Sequence, residues 1–325
     1  MVQEDYILEA EKLYVSYNEI DIVRNVNFRI RKGEFLGIVG ESGSGKTTLL
    51  RALMMLKRKN NDIKGNVRFQ GRELIGLDEE SLRRLRGMEI SMIPQNAVTA
   101  MDGTKTISSL FHETICMHRD GKIRRRDSDK LASQIMEKMR LEDTGRILKA
   151  YPFELSGGMC QRVMIAAAMI NNPKLMLGDE PTSALDVTSQ LQVIQELELL
   201  KSNYQVSMIM ISHNLGVISR IADTIAIMYG GRFVEYGSHE DIIRHAVHPY
   251  TKALLAAVPD ADGKISKGLP GLPPTFEKEM KGCPFASRCE YCIPRCRKEL
   301  PEDVAISLTH RVQCFRTKEL QDDIA

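Results

Sequence analysis

Gly40, Glu41, Ser42, Gly43, Ser44, Gly45, Lys46 and Thr47, followed by Thr48, match the spacing G-x-x-x-x-G-K-[ST]. Glycines at 40, 43 and 45 let the backbone curl so that successive N–H groups face phosphate oxygens. A helix opening at Lys46 would add the positive end of its dipole. Lys46 can then bridge the β- and γ-phosphates of a nucleoside triphosphate, and the Thr47 hydroxyl can ligate Mg²⁺. A second signal is the run from Lys174 to Glu180, an apolar stretch ending in two adjacent carboxylates. There Asp179 would hold Mg²⁺ through water, and Glu180 would face the γ-phosphate and polarise the attacking water. A third is Ser156-Gly157-Gly158 ahead of the apolar stretch Val163 to Ile170, a hydroxyl and N–H groups at a helix start that make another anion site.

These groups need a scaffold that brings loop ends to one edge. Short, nearly continuous apolar runs recur at Phe35–Val39, Ile90–Ile93, Leu175–Leu177, Val206–Ile211 and Ile225–Tyr229. Such runs suit strands buried on both faces of a parallel sheet. Helical patterns lie between them, at Lys46 to Leu56 and at Val187 to Leu200, the latter with Asp186 as N-cap. The alternation predicts an α/β fold whose ligands sit at the carboxyl ends of the strands. Tyr6 to Ile30 reads as a small β region, and 96–155 as a helical insertion. The run from Lys122 to Arg126 has Asp127 and Asp129 beside it, so it reads as a solvated face.

Composition narrows the class. The chain has 325 residues, enough for about two domains. Its 45 Lys and Arg against 43 Asp and Glu give a net charge of +2, which argues against a dedicated nucleic-acid binder. No apolar run reaches the roughly 18 residues of a membrane helix. Met1 to Tyr6 carries Glu4 and Asp5 with no apolar h-region, so no secretory signal is expected. Five of the 7 cysteines and eight of the 12 prolines lie in the last quarter, which marks a boundary near residue 245.

The stretch Leu155, Ser156, Gly157, Gly158, Met159, Cys160, Gln161, Arg162 resembles the Leu-Ser-Gly-Gly-x-x-Gln-Arg signature of ABC ATPases, and the resemblance runs from about Tyr6 to Tyr250. It implies a P-loop fold with an N-terminal antiparallel β subdomain and a helical subdomain at about 96–160, all within 1–245. In this family Ser156, Gly157, Gly158 and Gln161 would meet ATP bound to an opposite subunit. The resemblance further implies that Gln95 touches Mg²⁺ and senses a transmembrane partner, and that the segment Ser183 to Asp186 crosses the dimer. By the same matching, His213 contacts the γ-phosphate and Tyr17 stacks on adenine. Three departures stand out. Asn96 to Gly103 replaces the usual Asp-Pro-Met-Thr-Ser-Leu-Asn-Pro, Asn214 replaces an Asp, and Cys160 stands where Arg, Gln or Ser is common. None removes a group expected to touch nucleotide.

His248-Pro249-Tyr250-Thr251, the Pro- and Gly-rich run Gly268 to Pro274, and Cys283, Cys289, Cys292, Cys296 and Cys314 resemble the C-terminal extension of the oligopeptide/dipeptide/nickel importer ATPases. Residues 246–325 are expected to form that extension. Clustered thiols in a reducing compartment favour metal ligation over disulfides, and a Cys₄ set suits Zn²⁺ or an Fe–S cluster. The resemblance implies a [4Fe–4S] cluster on Cys283, Cys289, Cys296 and Cys314, with Cys292 able to replace Cys289 or Cys296. It also implies an ATP-hydrolysing subunit at the cytoplasmic face of a membrane. Its partners would be a second, different ATPase, two permease subunits and an external solute-binding protein. Peptides come first as solute, then nickel or metal chelates. A soluble ABC-type ATPase acting on ribosomes or DNA, and a metal- or redox-sensing regulatory ATPase, stay open as alternatives.

Overall fold

The computed structural model describes residues 6–56, 59–118, 123–183, 185–258, 269, 271–278 and 280–322. Residues 1–5, Lys122, Ala184, Gly268 and Pro270, which figure in the sequence readings, lie outside that set. The chain forms two compact units, 1–75 with 211–325 and 76–210.

The first unit opens with a hairpin, Tyr6–Tyr17 and Ile20–Arg31. Its two-residue turn has Asn18 and Glu19 both at positive φ (48° and 66°), a conformation whose twist matches that of the flanking strands. Asn61–Phe69 pairs antiparallel with the first strand and Arg72–Glu73 completes a four-stranded sheet. Leu8 and Ala10, and then Leu13 and Val15, are buried at the period of a half-covered strand, with the phase shifted by an irregularity between Ala10 and Leu13. Phe35–Val39 is buried at every position and pairs parallel with Thr224–Tyr229. Thr224–Tyr229 turns back antiparallel into Arg232–Ser238. The last quarter of the chain then lengthens this sheet, because Glu235 and Tyr236 pair with Val312 and Arg311, and Val304–Ala305 pairs beyond them.

The second unit carries the parallel pair Ile90–Ile93 and Leu175–Asp179 and seven helices among its described residues. They are Glu79–Leu85, Ala97–Ala100, Ile107–Cys116, Arg125–Lys138, Thr144–Lys149, Gly157–Met169 and Val187–Tyr204. Between Asn96 and Leu155 the described residues hold helices and no strand, so the predicted insertion is helical. Side-chain caps set most of the starts. Asp78, Asn96, Thr106, Asp143, Ser156 and Asp186 each accept a backbone N–H of the first turn. The core is apolar, with Ile107, Phe111, Ile115, Ala132, Met136, Val163 and Ile165 fully buried.

Candidate nucleotide site

The phosphate loop lies between the buried strand Phe35–Val39 and the helix Lys46–Leu53. All three of its glycines are demanded by geometry, Gly43 by a φ of +80°. Gly45 sits at φ +103°, where an added Cβ would come 2.9 Å from the Ile22 carbonyl oxygen, and a Cβ at Gly40 would come 2.2 Å from that of Met228. Lys46 is buried and folds back on its own loop, donating from Nζ to the carbonyl oxygens of Gly40 (2.7 Å) and Glu41 (2.8 Å). Ser42 and Gly43 are exposed at the loop tip, and Ser44 is buried.

Other parts of the first unit hold the loop. The Gly40 N–H donates to the Ser212 carbonyl (3.3 Å), and the Ser44 carbonyl accepts from the Gly231 N–H (3.0 Å). The Glu41 N–H donates to the Tyr250 hydroxyl (2.9 Å). The Glu41 carboxylate takes both prongs of the Arg288 guanidinium, at 2.6 and 3.0 Å. Arg288 also donates to the Tyr229 hydroxyl at 3.2 Å. Tyr229, Tyr250 and Phe285 pack ring to ring at 4.6 to 5.4 Å beneath these contacts. Burial raises the Tyr229 and Tyr250 hydroxyl pKa values, so both stay protonated and able to hydrogen-bond. Neither Tyr250 nor Arg288 was picked out as a nucleotide-site residue by sequence. Both sit inside recognised motifs, one in His-Pro-Tyr-Thr and one directly before Cys289.

His213 follows the strand Ser207–Ser212 and is exposed. The neighbouring Asn214 caps the next short helix by accepting from Gly216 N (2.9 Å), so Asn does here what the family's Asp would do. Tyr17 ends the first strand beside the hairpin turn, half-buried and opposite Ile20 and Asn61.

In the second unit, Leu175–Asp179 ends with Asp179 buried (4% exposed) and Glu180 half-buried. Glu180 adopts φ 46°, the left-handed region that costs a non-glycine residue energy and that functional sites retain. Ser183 pins this bend, donating from N and Oγ to the Glu180 carbonyl at 3.1 Å each. Asp186 caps the helix Val187–Tyr204 through Thr188 N, Ser189 N and Ser189 Oγ. Those bonds lower its pKa and keep it ionised. Ser156 caps Gly157–Met169 from Met159 N (3.3 Å), leaving Gly157 exposed. Gln161 is buried, and its Nε2 has no hydrogen-bond partner among the described residues. Gln95 is exposed, and next to it Asn96 caps Ala97–Ala100, which places the atypical segment on a surface turn. Cys160 is buried and donates to the Pro152 carbonyl, a packing role for the atypical residue.

None of the five tail cysteines is in a disulfide. Cys296, Cys314 and Cys289 lie close enough to Cys283 to disfavour its thiolate, and Cys314, Cys292 and Cys296 do the same to Cys289. Burial first, and these neighbours second, push Cys283 up to about 12 and Cys289 up to about 11. Cys314 is raised for the same reasons. The Cys283 N–H donates to the Cys296 carbonyl at 2.7 Å, closing the loop that carries three of the four expected ligands. Cys292 turns its Sγ toward the Ile293 carbonyl. Among the described residues no three His, Cys, Asp or Glu side chains converge as the ligands of one metal ion do.

Residues 23–183 match the model of the ABC transporter family, and residues 234–296 match the oligopeptide/dipeptide transporter C-terminal region. The oligopeptide transport ATP-binding protein OppD of Escherichia coli is 39% identical over 92% of this chain and 90% of its own. The dipeptide transport ATP-binding protein DppD of Lactococcus lactis is 38% identical over 94% and 90%. The chain belongs to the ABC transporter ATP-binding subunits of the oligopeptide/dipeptide transporter family. A dimeric ATP-binding cassette solved in a post-hydrolysis state with ADP and Pi aligns with a TM-score of 0.64 at 26% identity, covering 71% of this chain and 98% of that one. The expected α/β P-loop fold is therefore that of an ABC ATPase. As a member of the family the chain is an ATPase subunit of a membrane transporter, with ATP and Mg²⁺ as its nucleotide and metal. No helix among the described residues is long and apolar enough to cross a membrane.

Proposed function

We propose that this subunit hydrolyses ATP at the cytoplasmic face of a membrane to drive import of peptides, with nickel or metal chelates the next solute class. It would work against a second, different ATPase subunit, two permease subunits and an external solute-binding protein. Residues 1–245 would be the ATPase domain, with the helical part at 96–160, and 246–325 its extension. The observation that carries the reading is the pairing of a phosphate loop with a C-terminal region of the oligopeptide/dipeptide type in one chain.

In this mechanism Gly40 to Thr48 wraps the phosphates, and Tyr17 stacks on adenine. Ser156, Gly157, Gly158 and Gln161 serve the nucleotide of the opposite subunit, and Asp186 lies near the dimer junction. Mg²⁺, held by Thr47, Gln95 and Asp179, would supply charge neutralisation at the phosphate oxygens. Glu180 orients or deprotonates the attacking water, His213 contacts the γ-phosphate, and Lys46 balances the charge that develops on it. Gln95 and the surface turn after it would then pass the opening motion to the permease.

Cys283, Cys289, Cys296 and Cys314 would hold a [4Fe–4S] cluster that staples the extension. Buried, mutually repelling thiolates need a cationic centre to ionise. A Cys₄ set suits either Zn²⁺ or a cluster, and the resemblance of the extension to the family's favours the cluster. Cys292, which lies beside Cys289, would be the substitute for Cys289 or Cys296.

Glu180→Gln tests the reaction. Hydrolysis should fall by about 10²-fold or more, the scale of a lost general base, while ATP stays bound. Normal turnover in that variant would overturn the assignment. Co-purification with a permease and a second ATPase supports transport, whereas association with ribosomes or DNA would displace it. Iron and acid-labile sulfide in the purified chain support the cluster, and zinc alone would refute it.

A further inference from the structure

Glu41 is a group of the wrong sign for its place. It occupies the second position of a loop that collects phosphate charge, where an uncompensated carboxylate would repel the ligand. Arg288 answers it. The guanidinium is 4% exposed and meets the Glu41 carboxylate, itself 26% exposed, through two parallel contacts of 2.6 and 3.0 Å. Such a fork fixes direction as well as charge. Arg288 stands directly before Cys289, and its own N–H donates to the Phe285 carbonyl in the turn after Cys283. The cysteine loop is itself seated against the phosphate loop's supports. An added Cβ at Gly230 would strike Pro284 at 2.8 Å, and Pro273 and Pro274 line the same shallow cleft as Ser42 to Ser44. The guanidinium thus has a fixed base on one side and the phosphate loop on the other.

We propose that Arg288 is a positioning residue for the nucleotide reaction, neutralising and aiming Glu41 and thereby making ATP binding depend on the folded state of the cysteine loop. It acts through Glu41 and need not touch the nucleotide. The proposal rests on the reading of Gly40 to Thr47 as the ATP site, and Lys46→Ala keeps the two separable. If Lys46→Ala binds Mg·ATP like wild type, that reading fails. If only Arg288→Gln does, this proposal fails.

The test measures the Kd of Mg·ATP on the full chain by titration calorimetry, with the KM and kcat of hydrolysis by the assembled transporter. Arg288→Gln should weaken binding and raise KM about tenfold, the scale of one uncompensated charge in a partly desolvated site, with kcat changed less than about threefold. The double variant Glu41→Gln/Arg288→Gln should bind more tightly than Arg288→Gln alone, because it removes the carboxylate left uncompensated. Arg288→Lys keeps the charge without the fork and should recover part of the affinity. Cys289→Ser should weaken ATP binding in the wild-type background and add nothing to Arg288→Gln. Should Arg288→Gln fail to fold, Arg288→Lys and Cys289→Ser carry the comparison through their Kd values. Wild-type affinity in Arg288→Gln, a double variant as weak as Arg288→Gln, or an equal Cys289→Ser loss in both backgrounds would each overturn the proposal.

Discussion

The phosphate loop and the signature start are both helix openings built to meet phosphate, yet they are held differently. The loop is tied to the rest of its unit by Ser212, Gly231, Tyr250 and Arg288, and Lys46 is drawn back onto its carbonyls. Ser156 instead caps its own first turn, and a Cβ placed on Gly157 would meet nothing within 4 Å. One segment is completed from within its own unit. The other presents an open face, the form expected of a surface finished by a second subunit.

Separating the two by mutation gives the largest effects. Lys46→Ala should reduce Mg·ATP binding by the isolated chain about 10²-fold or more, since it removes the one cation of the loop. Gly157→Asp should leave that binding near wild type and lower hydrolysis by the assembled transporter by about 10²-fold, the scale of a blocked oxyanion donor set. Calorimetry on the isolated chain and phosphate release by the complex read the two quantities. Equal loss of binding in both variants would erase the distinction.

How far the sequence reached differs along the same line. Phe35–Val39 was legible at both ends because every residue is apolar and buried, and Val187 was legible as a helix start because Asp186 caps it. The helix after Lys46 stops at Leu53 rather than Leu56, because Met55 turns to φ 51° and the apolar residues continue past the last helical turn. The phosphate-loop residues themselves are contiguous, so spacing alone revealed them. Their support was not legible. Tyr250 and Arg288 reach Glu41 across 209 and 247 residues of chain, and no local period encodes such a contact. His-Pro-Tyr-Thr drew attention as a family mark, while its physical content emerges only in three dimensions. His248 caps the helix Pro249–Ala256, Pro249 starts it, and Tyr250 holds the phosphate loop.

That motif offers an acid-side test. His248 is fully buried, its ring accepts the Tyr250 N–H at 3.1 Å, and burial holds its pKa down to about 4 despite the Glu235 carboxylate nearby. Its folded pKa lies below the unfolded value, so the stabilisation is complete above about pH 6.5 and is lost as pH falls toward 4. From pH 7 to 4 this amounts to about 3 kcal/mol of unfolding free energy. His248→Asn keeps a capping acceptor and cannot titrate, so it should flatten that part of the curve. Denaturant midpoints across the range measure it, and an unchanged slope would detach the motif from the acid sensitivity.

The second unit should answer pH with the opposite sign. Glu196, on the helix Val187–Tyr204, is buried, its Oε2 has no hydrogen-bond partner among the described residues, and its Oε1 lies 3.8 Å from Arg162 of the signature helix. Burial raises its pKa to about 7, more than Arg162 and Arg140 lower it. A raised folded pKa stabilises the protonated form, so this contribution is full below about pH 4.5 and fades as pH climbs through 7. Between pH 5 and 7 the loss is about 2 kcal/mol. Glu196→Gln should remove it while leaving the His248 branch intact, because the two groups lie in different units. Hydrogen exchange separates the units, since amides of Gly157–Met169 should lose protection at high pH in wild type and not in Glu196→Gln. Amides of Pro249–Ala256 should lose it at low pH in both. A common pH response of the two helices would mean that the units open together, and the contrast between a tied phosphate loop and a free-standing signature would then hold for contacts but not for stability.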